Sequence, residues 1–286
     1  MPILQDAPVF LFACGRSGST LVQRLLNTND DVHMWGEHGG ALVALKNSYR
    51  ITTGANVRKL IDQTPVDCHE KVLCSEPVID SNNWSVQWYN SFTDEDARNG
   101  YRGLVEKLFA NSLKATAKHW GFKEIRYGLA EAEFLRELFP EAKFLVLVRN
   151  PKVVVRSQLE YFYLHSFKSD GQFDETKLKA HVDQALKSIS RVADLTTSPI
   201  SDNCLLVRYE EILADPLSGL FEVSSFLGIS EFEEDKINVI LSETKETSSE
   251  KKDAAAISVW IDEQIAEGTE AGISIRELCE SLSYET

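Results

Sequence analysis

The chain has 286 residues, a net charge of −14, 43% hydrophobic and 26% charged side chains. That balance fits a globular protein with its own core, and α/β folds of this length often stay single. The acidity argues against a broad polyanion-binding surface, so nucleic acid and sulfated polysaccharide are poor partners, and an anion site must be local and built from a few aimed groups.

Residues 9–14, Val-Phe-Leu-Phe-Ala-Cys, form a continuous apolar run ending at Gly15, the pattern of a buried parallel strand. No Lys or Arg precedes Arg16, so this run lacks the charged start of a signal peptide. No segment reaches the roughly 20 apolar residues of a spanning helix. The expectation is a cytoplasmic protein with no membrane contact. Residues 20–27 then place Leu21, Val22, Leu25 and Leu26 at helical spacing. Residues 48–100 are rich in Asn, Ser, Trp and acidic side chains and read as an insertion or cap, a usual place for substrate contacts. A short strand is expected over 118–123, then an amphipathic helix over 130–139 stopped by Pro140. Lys143–Val148 is a second apolar strand, and Pro151 opens a helix carrying residues 153–163. Helical spacing returns over 174–195, Cys204–Arg208 reads as a strand, and Pro216–Leu227 as a helix stopped by Gly228. Residues 242–255 are polar and read as a mobile loop, and the chain closes on acidic helix. Strands alternating with helices predict one α/β domain over 1–286, a central parallel sheet flanked by helices. The five cysteines, Cys14, Cys68, Cys74, Cys204 and Cys279, show no CxxC spacing and are expected to be buried free thiols.

Between the first strand and helix lies Gly15-Arg-Ser-Gly-Ser-Thr20. Backbone N–H groups at such a junction, with the positive end of the helix dipole, make an anion site. Gly15 and Gly18 let the chain turn tightly. Ser17, Ser19 and Thr20 offer hydroxyls, and Arg16 a fixed charge. A nucleotide triphosphatase would show GxxxxGK[ST] here and an acidic strand end for magnesium. This loop has no Lys, and the strand at 143–148 runs into Arg149. A magnesium site needs acid where a bare phosphate needs base.

Arg-Ser-Gly-Ser-Thr after an apolar strand resembles the 5′-phosphosulfate loop of sulfotransferases that use 3′-phosphoadenosine-5′-phosphosulfate (PAPS), nearest to the Arg-Ser-Gly-Thr-Thr form of tyrosylprotein and bacterial members. Arg149 with Ser157, eight residues on, is similar to that family's 3′-phosphate motif. A strand-end Arg and a hydroxyl two helical turns along can converge on one phosphate. Asn150 stands where the family usually has Asp, and Arg156 is either a third ligand or surface charge. The stretch from Val207 through Tyr209, Glu210, Pro216 and Phe226 to Gly228 resembles the family's Tyr-Glu…Pro…Phe-Leu-Gly block, with Tyr209 matching a Tyr near the nucleotide. The Arg-Lys-Gly…Gly-Asp-Trp closing segment of many cytosolic members is absent; Lys251 and Lys252 are candidates for a related role.

The resemblance implies a P-loop nucleotide-kinase-like fold, sulfuryl transfer from PAPS with 3′-phosphoadenosine-5′-phosphate (PAP) as product, and no required metal. Sulfuryl transfer needs in-line approach and stabilised leaving charge. Arg16 and Lys123 are the candidates for that stabilisation. A base must take the acceptor's proton. Glu37 is the first candidate, and its neighbour His38 the alternative. Trp84, Trp88, Tyr89, Tyr127, Tyr161 and Tyr163 are candidates to wall an acceptor pocket. Similar bacterial enzymes sulfate secondary metabolites, including cationic alkaloids of the saxitoxin kind, which implies a small-molecule acceptor reacting through a hydroxyl or a nitrogen. If the acceptor is cationic, Glu37 is also the group to hold its charge. The rival readings are an ATP-dependent kinase-like phosphotransferase and a nucleotide-binding protein without catalysis.

Overall fold

The computed structural model describes residues 7–62, 92–111, 113–166, 175–245 and 254–285. Five strands build one sheet: β1 (Val9–Ala13), β2 (Val32–Trp35), β3 (His119–Glu124), β4 (Lys143–Val148) and β5 (Cys204–Arg208). Their order is β2-β3-β1-β4-β5, and every adjacent pair is parallel. The helices are α1 (Ser19–Leu26), α2 (Ala41–Thr52), α3 (Ala55–Asp62), α4 (Asp94–Phe109), α5 (Leu129–Leu138), α6 (Pro151–Ser166), α7 (Glu175–Ala193), α8 (Tyr209–Ala214), α9 (Pro216–Leu227), α10 (Glu234–Lys245), α11 (Ala254–Glu267) and α12 (Glu270–Ser281). The expected α/β fold is present, with strand boundaries within a residue of those read from the sequence. β2 is the strand with no expected boundaries; at four residues its burial only alternates.

A strand buried on both faces needs apolar residues at every position, and β1 has them. Val9, Leu11 and Ala13 point to one side and pack with Leu21, Val22, Leu25 and Leu26 of α1 and with Leu220, Val223 and Leu227 of α9. Phe10 and Phe12 point to the other, where their rings meet Phe122, Phe144 and Tyr127. Cys14 continues this second side and packs with Val154 of α6 and Ile189 of α7. So the helix after β1 covers one face, and the helix after β4 the other. In an open parallel sheet this reversal leaves a crevice between the carboxyl ends of the two strands, the usual ligand position. Gly121 lets β1 and β3 lie this close, since a Cβ there would come within 1.5 Å of the Val9 carbonyl oxygen.

The chain divides into two compact units, residues 41–111 and the remainder. Within 41–111, Tyr49 meets Tyr101 edge-on at 5.2 Å, and a capping box between Thr93 and Asp96 starts α4. Most of the stretch expected as an insertion, with Trp84, Trp88 and Tyr89, lies outside the described residues, as do Cys68, Cys74, Lys251 and Lys252. Cys14 and Cys279 are buried free thiols, and Cys204 is a partly buried one. Burial pushes the Cys14 thiol up to about 11.

Candidate active site

Three strand ends and the loop after β1 converge on one cavity of about 1340 Å³, whose described lining residues belong to the larger unit. That exceeds the roughly 300–1,000 Å³ of a single small-ligand pocket, leaving room for a nucleotide and a second reactant.

The loop takes the conformation the glycines suggested, with one addition. Arg16 (φ 68°) and Gly18 (φ 88°) both occupy the left-handed region. Alternating hands turn successive amides inward to form a concave anion nest. The amides of Gly18, Ser19 and Thr20 have no backbone acceptor among the described residues, as expected of a helix start. Gly15, Arg16, Gly18, Ser19 and Thr20 all line the cavity. Ser17 does not: its hydroxyl, expected to point at the anion, is buried and donates to the Cys14 carbonyl at 2.7 Å. A loop with two left-handed residues needs an internal brace, and Ser17 supplies it.

Arg149 reaches across the crevice from β4. Its Nη1 donates to the Arg16 carbonyl at 3.3 Å, and its guanidinium lies 4.5 Å from the Tyr209 ring centroid. Tyr209 opens α8 directly after β5 and packs on Gly18 so closely that a Cβ there would fall 2.0 Å from the ring. Ser157, two turns into α6, accepts from Arg16 Nε at 3.1 Å. Arg16, Arg149, Ser157 and Tyr209 are thus one connected group. Arg156 pairs with Glu160 at 3.6 Å on the surface of α6 and does not line the cavity. Asn150 caps α6, accepting from the Lys152 amide at 3.0 Å, a role that Asp also fills. Gln158 went unnoticed in the sequence; its amide donates to the Gly15 carbonyl at 2.8 Å and holds the loop from the α6 side.

On the β3 side, Glu37 lines the cavity just beyond β2. Lys123, buried near the end of β3, donates to Glu37 Oε1 at 2.6 Å and reaches Thr20 Oγ1 at 3.5 Å. Two of the three predicted catalytic groups, Glu37 and Lys123, are therefore adjacent, but Lys123 is not itself a lining residue. Arg126 completes the cluster: its Nη1 donates to Glu37 Oε2 at 3.1 Å and to Glu124 Oε1 at 2.6 Å. Glu124 is fully buried and also accepts from the amides of Gly40 and Ile125, both at 3.0 Å. Burial alone would raise its pKa; the hydrogen bonds from Arg126 and the two amides outweigh it and hold the carboxyl below its ordinary range. Nothing in the sequence separates Arg126 and Glu124 from ordinary surface charges, because their pairing depends on where Glu37 returns. His38 faces inward. Its Nε2 lies 2.7 Å from the Tyr127 hydroxyl, its ring packs edge-on to Phe122, and burial pushes its pKa down. Tyr127 is fully buried in the same ring cluster, so it is core rather than pocket wall. Tyr161 does line the cavity, its ring 5.4 Å from the Arg16 guanidinium. The side chain of Tyr163 lies outside the described residues.

A parallel sheet with a candidate anion nest at its switch point and a second cationic group on the next strand is the architecture of P-loop-like α/β proteins. A family model described as the sulfotransferase family matches residues 8–234. The chain belongs to the sulfotransferase family. Carbohydrate sulfotransferase 1 of Danio rerio is 27% identical over 180 residues, 56% of this chain and 40% of that protein. This chain thus aligns with well under two thirds of that relative's length. The sulfotransferase domain from the Synechococcus PCC 7002 olefin synthase superposes with a TM-score of 0.53 at 18% identity, covering 99% of this chain and 97% of that one. The sulfotransferase domain from the curacin biosynthetic pathway gives 0.54 at 15% identity, with 98% of each chain covered. At such identities these likenesses speak for the fold. No described helix is long and apolar enough to cross a membrane.

Proposed function

We propose that the protein transfers a sulfuryl group from PAPS to a hydroxyl or nitrogen of a small molecule, with the donor in the crevice between β1 and β4. The observation carrying this reading is the Arg16–Ser157–Arg149–Tyr209 group, which draws two guanidinium groups and the loop amides to one place. PAPS carries two anionic ends, and the residues fit both: amides of Gly18, Ser19 and Thr20 with Arg16 for the 5′ end, Arg149 and Ser157 for the 3′-phosphate. Family membership, and sulfotransferase domains as structural neighbours, support this donor.

When bound, PAPS supplies the sulfuryl group and leaves as PAP. The residues of this chain do the rest. Arg16 and the loop amides offset charge on the donor's 5′-phosphate, and no metal is required for that. Glu37, on the opposite wall, accepts the acceptor's proton. Lys123 and Arg126 fix its carboxylate from two sides. His38 is turned away, towards Tyr127, which supports Glu37 over His38 as the base.

Calorimetric titration with PAP tests the donor reading. Wild type is expected to bind, and Arg149→Ala to bind about 10- to 100-fold more weakly, the worth of a charge-assisted contact. If the wild type binds ATP with magnesium but not PAP, the phosphotransferase reading takes its place.

A further inference from the structure

A second cavity of about 700 Å³ lies between the start of α5, α7 and α12. It shares three lining residues with the main cavity: Asp183, Lys187 and Arg191. These stand four residues apart on α7, so they form one stripe along one face of that helix. The cavities therefore adjoin along this stripe. Leu129, Leu186 and Leu278 give the second cavity an apolar floor, and the exposed carboxylates of Asp194 and Glu277 are also part of its wall.

The charges of the main cavity can be assigned in turn. Arg16 and Arg149 belong to the donor group. Arg126 is held by Glu37 and Glu124. Lys187 and Arg191 remain, against one carboxylate, Asp183. Lys187 and Asp183 form no ion pair among the described residues. Arg191 donates one hydrogen bond, to the carbonyl of Ile125 at 3.2 Å, which sets its guanidinium beside the end of β3, at the residue that precedes Arg126. Glu37 already has two cations within 3.1 Å, so its charge is balanced before an acceptor arrives and its pull on a cationic acceptor is weakened. Among its described lining residues the main cavity thus offers two unassigned cations, and Asp183 is the one carboxylate there not already held by a cation.

We propose that the acceptor is a hydroxylated organic anion, with its carboxylate or other anionic group held by Lys187 and Arg191 and its body extending over the leucines of the second cavity. The proposal rests on the sulfuryl-transfer reading above and narrows its acceptor. It turns away from the cationic alkaloids considered on sequence grounds. Lys187 and Arg191 are exposed without ligand, and charge-assisted contacts from the pair should favour the anion over a neutral analogue by about 10-fold or more.

The test is a turnover screen with PAPS, using hydroxylated aryl and alkyl carboxylates, their methyl esters, and the corresponding amines on the same skeletons. Anionic members are expected to give at least about tenfold higher kcat/KM than their esters, and the amines least. Lys187→Gln and Lys187→Gln/Arg191→Gln should erase that preference by raising KM. A parallel titration with PAP should give the same Kd for both variants as for wild type. Preference for esters or amines, an unchanged preference in the double variant, or no anion turned over by a protein that binds PAP would overturn the proposal. So would weaker PAP binding by the variants, which would assign these cations to the donor. Failure of wild type to bind PAP would instead sink the donor reading.

Discussion

Replacing Glu37 by Gln keeps its shape and removes its capacity to take a proton. Turnover should fall about 10²- to 10⁴-fold, the usual contribution of a general base, while the PAP Kd stays unchanged. Steady-state kinetics beside calorimetry reads both, and retained turnover would remove Glu37 from the role of base. Gly18 shows how narrowly the loop is defined. Gly18→Ala meets two obstacles, a positive φ and a ring 2.0 Å from the new Cβ. It should cost about 1–3 kcal/mol in stability and weaken PAP binding by tenfold or more, roughly one charge-assisted contact. Adding Tyr209→Ala should recover the steric part only, which a double-mutant cycle by denaturation and titration would separate. Gly18 was recognisable in the sequence as a turn glycine. That Tyr209 is what excludes a side chain there was not, because the two are 191 positions apart.

The turn after β3 carries its own prediction. Glu124 joins Arg126 to the amides of Gly40 and Ile125, so it fixes the group that grips Glu37. Its pKa is lower in the folded protein than in the unfolded chain. Its contribution to stability is therefore complete above the ordinary carboxylate range near about 4.3 and is lost as pH falls through the lower folded value. Glu124→Gln should cost about 1–3 kcal/mol at pH 7, with the difference from wild type shrinking below about pH 4. Urea denaturation at pH 7 and pH 3 measures this; an equal difference at both would show that the charge is irrelevant. Most elements were legible in the sequence for plain reasons. β1 and β4 are unbroken apolar runs, and α9 sits between Pro216 and Gly228, which caps it at φ 75°. β2 was less legible, because a single alternation over four residues, two buried and two half-buried, is too short to mark a strand.

The C-terminal helices lie beyond the matched residues 8–234, yet they are part of the core. Ile257 and Ile261 of α11 and Ile275 and Cys279 of α12 pack with Val155 and Leu159 of α6 and Val182 and Leu186 of α7. The end of the chain is tied to the strand ends: Arg208 donates to the Leu282 carbonyl at 2.7 Å, and the Tyr284 hydroxyl donates to Glu210 at 2.9 Å. Burial, with the Glu210 carboxylate second, raises the pKa of Tyr284, so this bond persists through the neutral range. The three isoleucines alone are worth about 1.5–3 kcal/mol each, against a typical stability of about 5–15 kcal/mol. A chain cut after residue 253 should therefore lose its cooperative thermal transition; a preserved melting curve would mean the larger unit stands without them.

By itself the sequence determined four of the sheet's five strands, the chain order of the elements, and where the two candidate anion motifs fall. Each is local: an apolar run, a helical period, a glycine loop, an Arg after a strand. What only the tertiary structure decided is which of these charged groups face one another. Folding turned Ser17 inward, set Lys123 and Arg126 on either side of Glu37, took Tyr127 into the core with His38 half-buried against it, and placed Lys187 and Arg191 on the cavity wall. A charged side chain carries no periodic mark of its partner, and its chemistry is fixed only when residues distant along the chain arrive beside it.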